Sequence, residues 1–237
     1  MKKFYTLFVI ILLCSAAFAQ EPCADKPTVK DYNGNVYNTV QIGSQCWMKE
    51  NMRAKATPTG KRYIVLQNDE KIYKEVIVAT PEHNPENIAL YGYLYDHAAA
   101  MSVCPKGWHL PTQADFEELK SYAQTYACDG NMFNINKALS AEEGWGFYSA
   151  AAGGNNIRNS TGFSVTAAGK ATTGKIIECD GFGKAAHLWT ADVTGDTQKT
   201  GSFLSIFTDN WKVEFESCPI DSEKVIGCSV RCLRDNQ

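Results

Sequence analysis

At 237 residues, the chain is long enough for one large domain or two small ones. Its 23 basic and 26 acidic side chains leave a formal charge of −3, which excludes the cationic field that nucleic-acid binding requires. With 44% of its residues hydrophobic it can bury a core of its own, so cross-links would reinforce the fold and not substitute for it.

The first predicted element is an export signal. Lys2 and Lys3 precede an apolar run over residues 4–13, and Ala17-Phe-Ala19 supplies a small-residue cleavage site, so residues 1–19 are expected to be removed after Ala19. The run falls short of the roughly 20 residues that span a bilayer, and no later stretch is long and apolar enough to do so. Leu13 before Cys14 is too bulky for a lipoprotein site, which argues against lipidation. The expected destination is outside the cytoplasm, secreted or at the cell surface.

Residues 20–28 read as a short leader. Asn33-Gly34 then joins residues 29–32 to 36–42 as a hairpin, because Asn-Gly accepts the positive φ of a tight turn. Val36, Asn38, Val40 and Ile42 share one face of the second arm, and Trp47 and Met48 are expected to plug the core edge. A second hairpin is predicted between residues 62–67 and 71–78, with Asn68, Asp69 and Glu70 as its turn. Residues 80–87 form a surface loop. In the strand that follows, Tyr91, Tyr93 and Tyr95 alternate with Gly92 and Leu94 and point to one side.

The clearest helix covers residues 113–127. Thr112 caps it, Asp115 stands at its third position, Leu110 packs back as a staple, and Phe116, Leu119, Tyr122, Ala123 and Tyr126 form its apolar stripe. Gly130 is its expected terminator. Residues 134–143 predict a shorter helix with Ile135, Ala138 and Leu139 inward. From Gly144 onward the texture becomes strand-like, with candidates at 187–191, 202–207 and 211–215, a turn at Asp209-Asn210, and a last strand over 229–234. The pattern is α+β: one main helix, one shorter helix and small antiparallel sheets in a single domain.

Eight cysteines remain once Cys14 leaves: 23, 46, 104, 128, 179, 218, 228 and 232. An even number in an exported chain predicts disulfides, with the pairing left open by spacing alone. No close Cys-x-x-Cys pair favours zinc.

Several motifs, in order, resemble the Fibrobacter succinogenes major paralogous domain. They are Asp31-Tyr-Asn-Gly-Asn-Val-Tyr37, Ile42-Gly-Ser-Gln-Cys-Trp-Met-Lys-Glu-Asn-Met52, Tyr91-Gly-Tyr-Leu-Tyr95, Val103-Cys-Pro-Lys-Gly-Trp-His-Leu-Pro-Thr112, Thr161-Gly-Phe-Ser164, Leu188-Trp-Thr190 and Gly227-Cys-Ser-Val-Arg-Cys-Leu-Arg234. The resemblance implies one such domain over residues 29–237 with an insertion around 61–87. It also implies a C-type lectin-like fold of small twisted sheets, reinforced by disulfides, in exported and surface proteins, and no established activity. It suggests pairings as well: Cys104 with Cys232 as the long bridge of lectin-like folds, Cys218 with Cys228 around a loop closed by hairpin strands, and, for the rest, Cys128 with Cys179 and Cys23 with Cys46.

Grouped ionisable residues are hard to find. His83, His97, His109 and His187 are scattered, with no metal-ligand spacing, and no serine stands in a Gly-x-Ser-x-Gly elbow. His109 is expected to bond backbone beside the packed indole of Trp108. Calcium is the one ion the lectin-like resemblance brings into view, and Asp192, Asp196, Asp209 and Asn210 are the oxygen ligands that could gather for it. The usual Glu-Pro-Asn and Trp-Asn-Asp elements are missing, so the expectation is no resident metal or cofactor. Candidate ligand-contacting residues are Tyr91, Tyr93, Tyr95, Asp192, Asp209 and Asn210, with the tyrosines as stacking platforms for a sugar or peptide. The leading reading is a non-catalytic binding or adhesion domain for an extracellular glycan or surface protein. The alternatives are an extracellular hydrolase with a dispersed site and a structural envelope protein; oligomeric state is left open.

Overall fold

A computed structural model of the chain describes residues 20–66, 77–127, 134–146, 158–173, 177–207, 212–222 and 224–235. In chain order the elements are β1 (Thr28–Lys30), β2 (Val36–Ile42), β3 (Gln45–Met48), β4 (Ile64–Leu66), β5 (Ile77–Ala79), α1 (Ile88–Tyr91), β6 (Leu94–Tyr95), α2 (His97–Val103), β7 (Trp108–His109), α3 (Gln113–Tyr122), α4 (Ile135–Leu139), β8 (Lys170–Thr173), β9 (Ile177–Asp180), β10 (Ala185–Thr194), β11 (Thr200–Phe207), β12 (Val213–Pro219), β13 (Ile226–Gly227) and β14 (Leu233–Arg234). The α+β expectation holds: short helices beside small, mostly antiparallel sheets.

The first sheet runs β1-β2-β3-β14-β7. Its hairpin forms where Asn33-Gly34 predicts it, with Gly34 at φ +85°. The tip is wider than a two-residue turn because the Asp31 carboxylate accepts from both Asn35 N (3.0 Å) and Asn35 Nδ2 (2.7 Å). β2 buries both faces in turn. Tyr37 and Thr39 are covered in its first half, Val40 and Ile42 in its second, while Val36 and Asn38 stay exposed. The strict single-face alternation fails there because β2 passes between two apolar clusters. One holds Tyr37, Met48, Tyr93, Tyr95, Trp108 and Trp189; the other holds Val40, Ile42, Trp47, Phe116, Leu119 and Phe163.

The sheet β10-β11-β12 separates the same two clusters. Trp189 and Phe203 face the first, and Leu188, Leu204 and Ile206 face the second, as period-two alternation requires. The expected strands at 187–191 and 202–207 lie within β10 and β11, and the third is β12, which starts at Val213 and runs on to Pro219; residues 208–211 fall outside the described ones. β14 enters between β3 and β7, with Leu233 opposite both Trp47 and His109, so the last strand does return to the middle of the chain.

The predicted second hairpin is corrected. β4 and β5 pair in parallel, Ile64 opposite Ile77, and β5 pairs antiparallel with β6. A parallel pair cannot be joined by a tight turn; the predicted turn at 68–70 lies outside the described residues.

α3 carries the predicted capping box. Asp115 N donates to Thr112 Oγ1 (3.2 Å), and Thr112 N donates to Asp115 Oδ2 (2.7 Å). A further turn at Ala123–Ala127 takes the wider π geometry. Phe116 and Leu119 are the buried residues of α3. α4 is shorter than expected, ending at Leu139. No helix among the described residues is long and apolar enough to cross a membrane.

Two disulfides form, Cys104–Cys232 and Cys23–Cys46, each with Cα atoms 5.8 Å apart. The expected Cys218–Cys228 bridge does not: both stand as buried thiols. The hairpin that this pairing presupposed is absent. β12 pairs with β11 and β13 pairs with β8, so the strands on either side of residues 220–225 belong to different sheets and do not close a hairpin. Cys179 is also a thiol, not a bridge, and its expected partner, Cys128, lies outside the described residues.

Candidate functional site

The tyrosines predicted as a stacking platform are mostly interior. Tyr93 is 1% and Tyr95 0% exposed, with rings edge to face at 6.4 Å, and Tyr95 Oη donates to Ala54 O. Tyr91 ends α1 before Gly92 turns the chain at φ +72°, and its half-buried ring lies against Phe182 at 4.7 Å. Alternation placed Tyr93 and Tyr95 on one side correctly, but that side faces the core. Asp192 is also spent internally: its Oδ2 accepts from Gln113 N (2.6 Å), serving an orphan amide at the start of α3. Asp209 and Asn210 lie outside the described residues. Asp196 stands in an exposed bend. No group of three or more His, Cys, Asp or Glu among the described residues is placed to hold a metal ion.

The described histidines are tied into the fold. His97 Nε2 lies 3.2 Å from Thr190 O, its ring is edge-on to Trp189 at 5.1 Å, and burial lowers its pKa. Asp96 caps α2 through Ala99 N (2.6 Å) instead of orienting that imidazole. His109 was expected to bond backbone; instead its Nδ1 meets the Asp235 carboxylate at 2.7 Å, with Asp115 at 3.8 Å from Nε2. The carboxylates of α3 and of the chain's last strand region converge there, which motif reading could not place.

His187 is the most perturbed. It sits on the β10 face that looks toward Lys170, with Nδ1 2.7 Å from Ser205 Oγ and 4.0 Å from Glu216 Oε1. Burial, then the Lys170 charge, pulls its pKa down to about 4, against the smaller pull of Glu216 and Asp180. Serine, histidine and glutamate thus meet, but both partners address the same ring nitrogen and Ser205 is 0% exposed. A relay would need them on opposite nitrogens and an accessible hydroxyl.

A second polar centre joins four of the sequence motifs. Arg231, buried, donates through Nε and Nη2 to Asn51 Oδ1 (3.2 and 2.7 Å), through Nη1 to Phe163 O and through Nη2 to Ser164 O (3.3 Å). Its guanidinium lies 4.6 Å from the Phe163 ring centroid. Asn51 Nδ2 in turn donates to Tyr91 O (2.9 Å) and lies 3.3 Å from Ser229 Oγ. Burial lowers the Arg231 pKa to about 9, leaving it ionised at neutral pH. Asn51, Tyr91, the 163–164 pair and Arg231, which stand in four separate motifs, are thus held to one another.

What faces solvent lies elsewhere, at a corner where the β1–β2 tip meets residues 53–63. Tyr32 is 61% and Val36 45% exposed. The Tyr32 ring rests over Gly60, where a Cβ would come within 2.8 Å of Cζ. Arg53 Nη2 donates to Val36 O (2.8 Å), Lys55 N donates to Asn33 Oδ1 (2.7 Å), and Thr57 N and Tyr63 N donate back across their own turn. This corner was not predicted. The signal was present in the run from Arg53 to Tyr63, which holds four cations, two threonines and no acid.

No curated protein and no solved structure matches the chain. The family model of the Fibrobacter succinogenes major domain matches residues 40–234, a span that takes in Asn51, α3 and Arg231. The chain therefore belongs to the Fibrobacter succinogenes major domain family.

Proposed function

We propose that this chain is an exported, non-catalytic recognition domain of C-type lectin-like type, without a resident cofactor, that holds an extracellular glycan or surface protein on the corner formed by residues 30–36 and 53–63. The observation that carries the reading is Tyr32: a large ring, 61% exposed, seated on a glycine and bordered by hydrogen-bonded turns. An exposed aromatic held in one orientation stacks on a ligand at little entropic cost. Two disulfides support an oxidising compartment, in keeping with the export signal read in residues 1–19. Amino-terminal sequencing of the exported protein should begin at Gln20; an intact Met1 in that fraction would remove the export claim.

The test of recognition is a panel of cell-wall polysaccharides and surface proteins presented to the chain lacking residues 1–19. Binding to at least one polymer is expected, weakened about tenfold or more by Tyr32→Ala. Folded protein that binds nothing on the panel, or binds equally well without the ring, would refute the proposal.

A further inference from the structure

We infer that the ligand of this corner is an acidic polysaccharide, a polymer of carboxylated or sulfated sugar rings; the inference rests on the recognition surface proposed above and names its chemistry. Over the whole sequence acids outnumber bases, yet the two stretches that build the corner, residues 30–36 and 53–63, carry Lys30, Arg53, Lys55, Lys61 and Arg62 against the single acid Asp31. Asp31 does not face outward. It is 8% exposed and accepts from Tyr37 Oη (2.7 Å) as well as from Asn35. Among the described residues none of the five cations is paired with a carboxylate.

The five are placed by backbone geometry. Lys30 lies opposite Val36 in the β1–β2 ladder, and Arg62 opposite Ala56 in the turn that carries Gly60. Lys61 N donates to Thr57 Oγ1 (3.0 Å), which fixes the tight turn beneath Tyr32. Arg53 is held at Val36 O and lies 5.0 Å from the Tyr37 ring, while Lys55 reaches back to 5.9 Å from the Tyr93 ring. Lys30, Arg53, Lys61 and Arg62 therefore stand on the two segments that flank one exposed phenol ring. A flat ring for the apolar face of a pyranose, with cations about it for carboxylates or sulfates, fits an acidic sugar polymer better than the alternatives. A lipid surface would call for a larger inserting apolar patch, and a nucleic acid for a basic domain.

The experiment uses the chain lacking residues 1–19 against four probes: polygalacturonate, its carboxyl-reduced neutral counterpart, polyglutamate, and vesicles of phosphatidylcholine with phosphatidylglycerol. Polygalacturonate is expected to bind at least about tenfold more tightly than the other three, to weaken as salt is raised, and to lose about tenfold in Lys61→Ser/Arg62→Ser with an unchanged melting temperature. The salt titration needs no variant, so a misfolded double mutant leaves the test intact. Equal affinity for the acidic and reduced polymers, abolished by Tyr32→Ala, would overturn the charge inference while leaving the recognition surface standing. Preference for polyglutamate or the vesicles, or binding to none of the four, would overturn it as well. Polygalacturonate binding indifferent to Tyr32→Ala would overturn both readings.

Discussion

Arg231 and His187 show what buried polar residues do in this fold. The guanidinium has no carboxylate among its hydrogen-bond partners; carbonyl and amide oxygens of two distant segments hold it. Removing Asn51 Oδ1 would strand a buried cation, so Asn51→Ala should cost about 3 kcal/mol, measurable by urea unfolding. Arg231→Met should cost less, because it withdraws the charge together with its demand for partners. His187 makes a pH prediction. Its folded-state pKa of about 4 lies below the ordinary 6.5, so between those values the unfolded chain binds the proton and the folded chain does not. Stability conferred above pH 6.5 is then lost as pH falls toward 4, by about 3 kcal/mol in all. His97, also lowered by burial, adds to the same slope. Unfolding midpoints at pH 7, 5.5 and 4 should show the decline, and His187→Gln should flatten it.

Among the elements, those specified by neighbouring residues were legible in the sequence and those specified by distant partners were not. The α3 capping box is written in Thr112 and Asp115, and Thr112→Ala should cost about 1 kcal/mol in thermal or chemical unfolding. The Asn33-Gly34 hairpin is equally local. The β4–β5 pair is not, since nothing within either strand distinguishes a parallel from an antiparallel partner. The tyrosines fail for a related reason. Alternation reports which side of a strand a residue takes, but what covers that side comes from α2, β10 and residues 53–54. Gly92 shows how tight the covering is: at φ +72° a Cβ would stand 2.6 Å from Met52 O and 2.8 Å from Asn51 Cβ. Gly92→Ala should therefore destabilise by more than the ~1 kcal/mol of backbone strain alone, and a neutral result in unfolding would show that residues 51–52 yield.

At the scale of the molecule, the bridge Cys104–Cys232 ties the segment before α3 to the one entering β14 across 128 positions. On loop-closure entropy its removal should cost up to about 5 kcal/mol, with measured values often lower. Cys232→Ser should lower the melting temperature sharply and expose Cys104 to thiol reagents, whereas Cys218, whose thiol burial pushes up to about 11, should stay unreactive in the native protein. That bridge was readable from the family motifs; the Tyr32 corner was not, because a recognition surface is defined by what stays uncovered. The placement of β14 between β3 and β7 has one more consequence. A nascent chain that has not yet reached Arg234 lacks an interior strand, so its first sheet stays open at two unpaired edges. That sheet is completed only once residue 234 has been made, and until then β3 and β7 each present an open edge to any other strand.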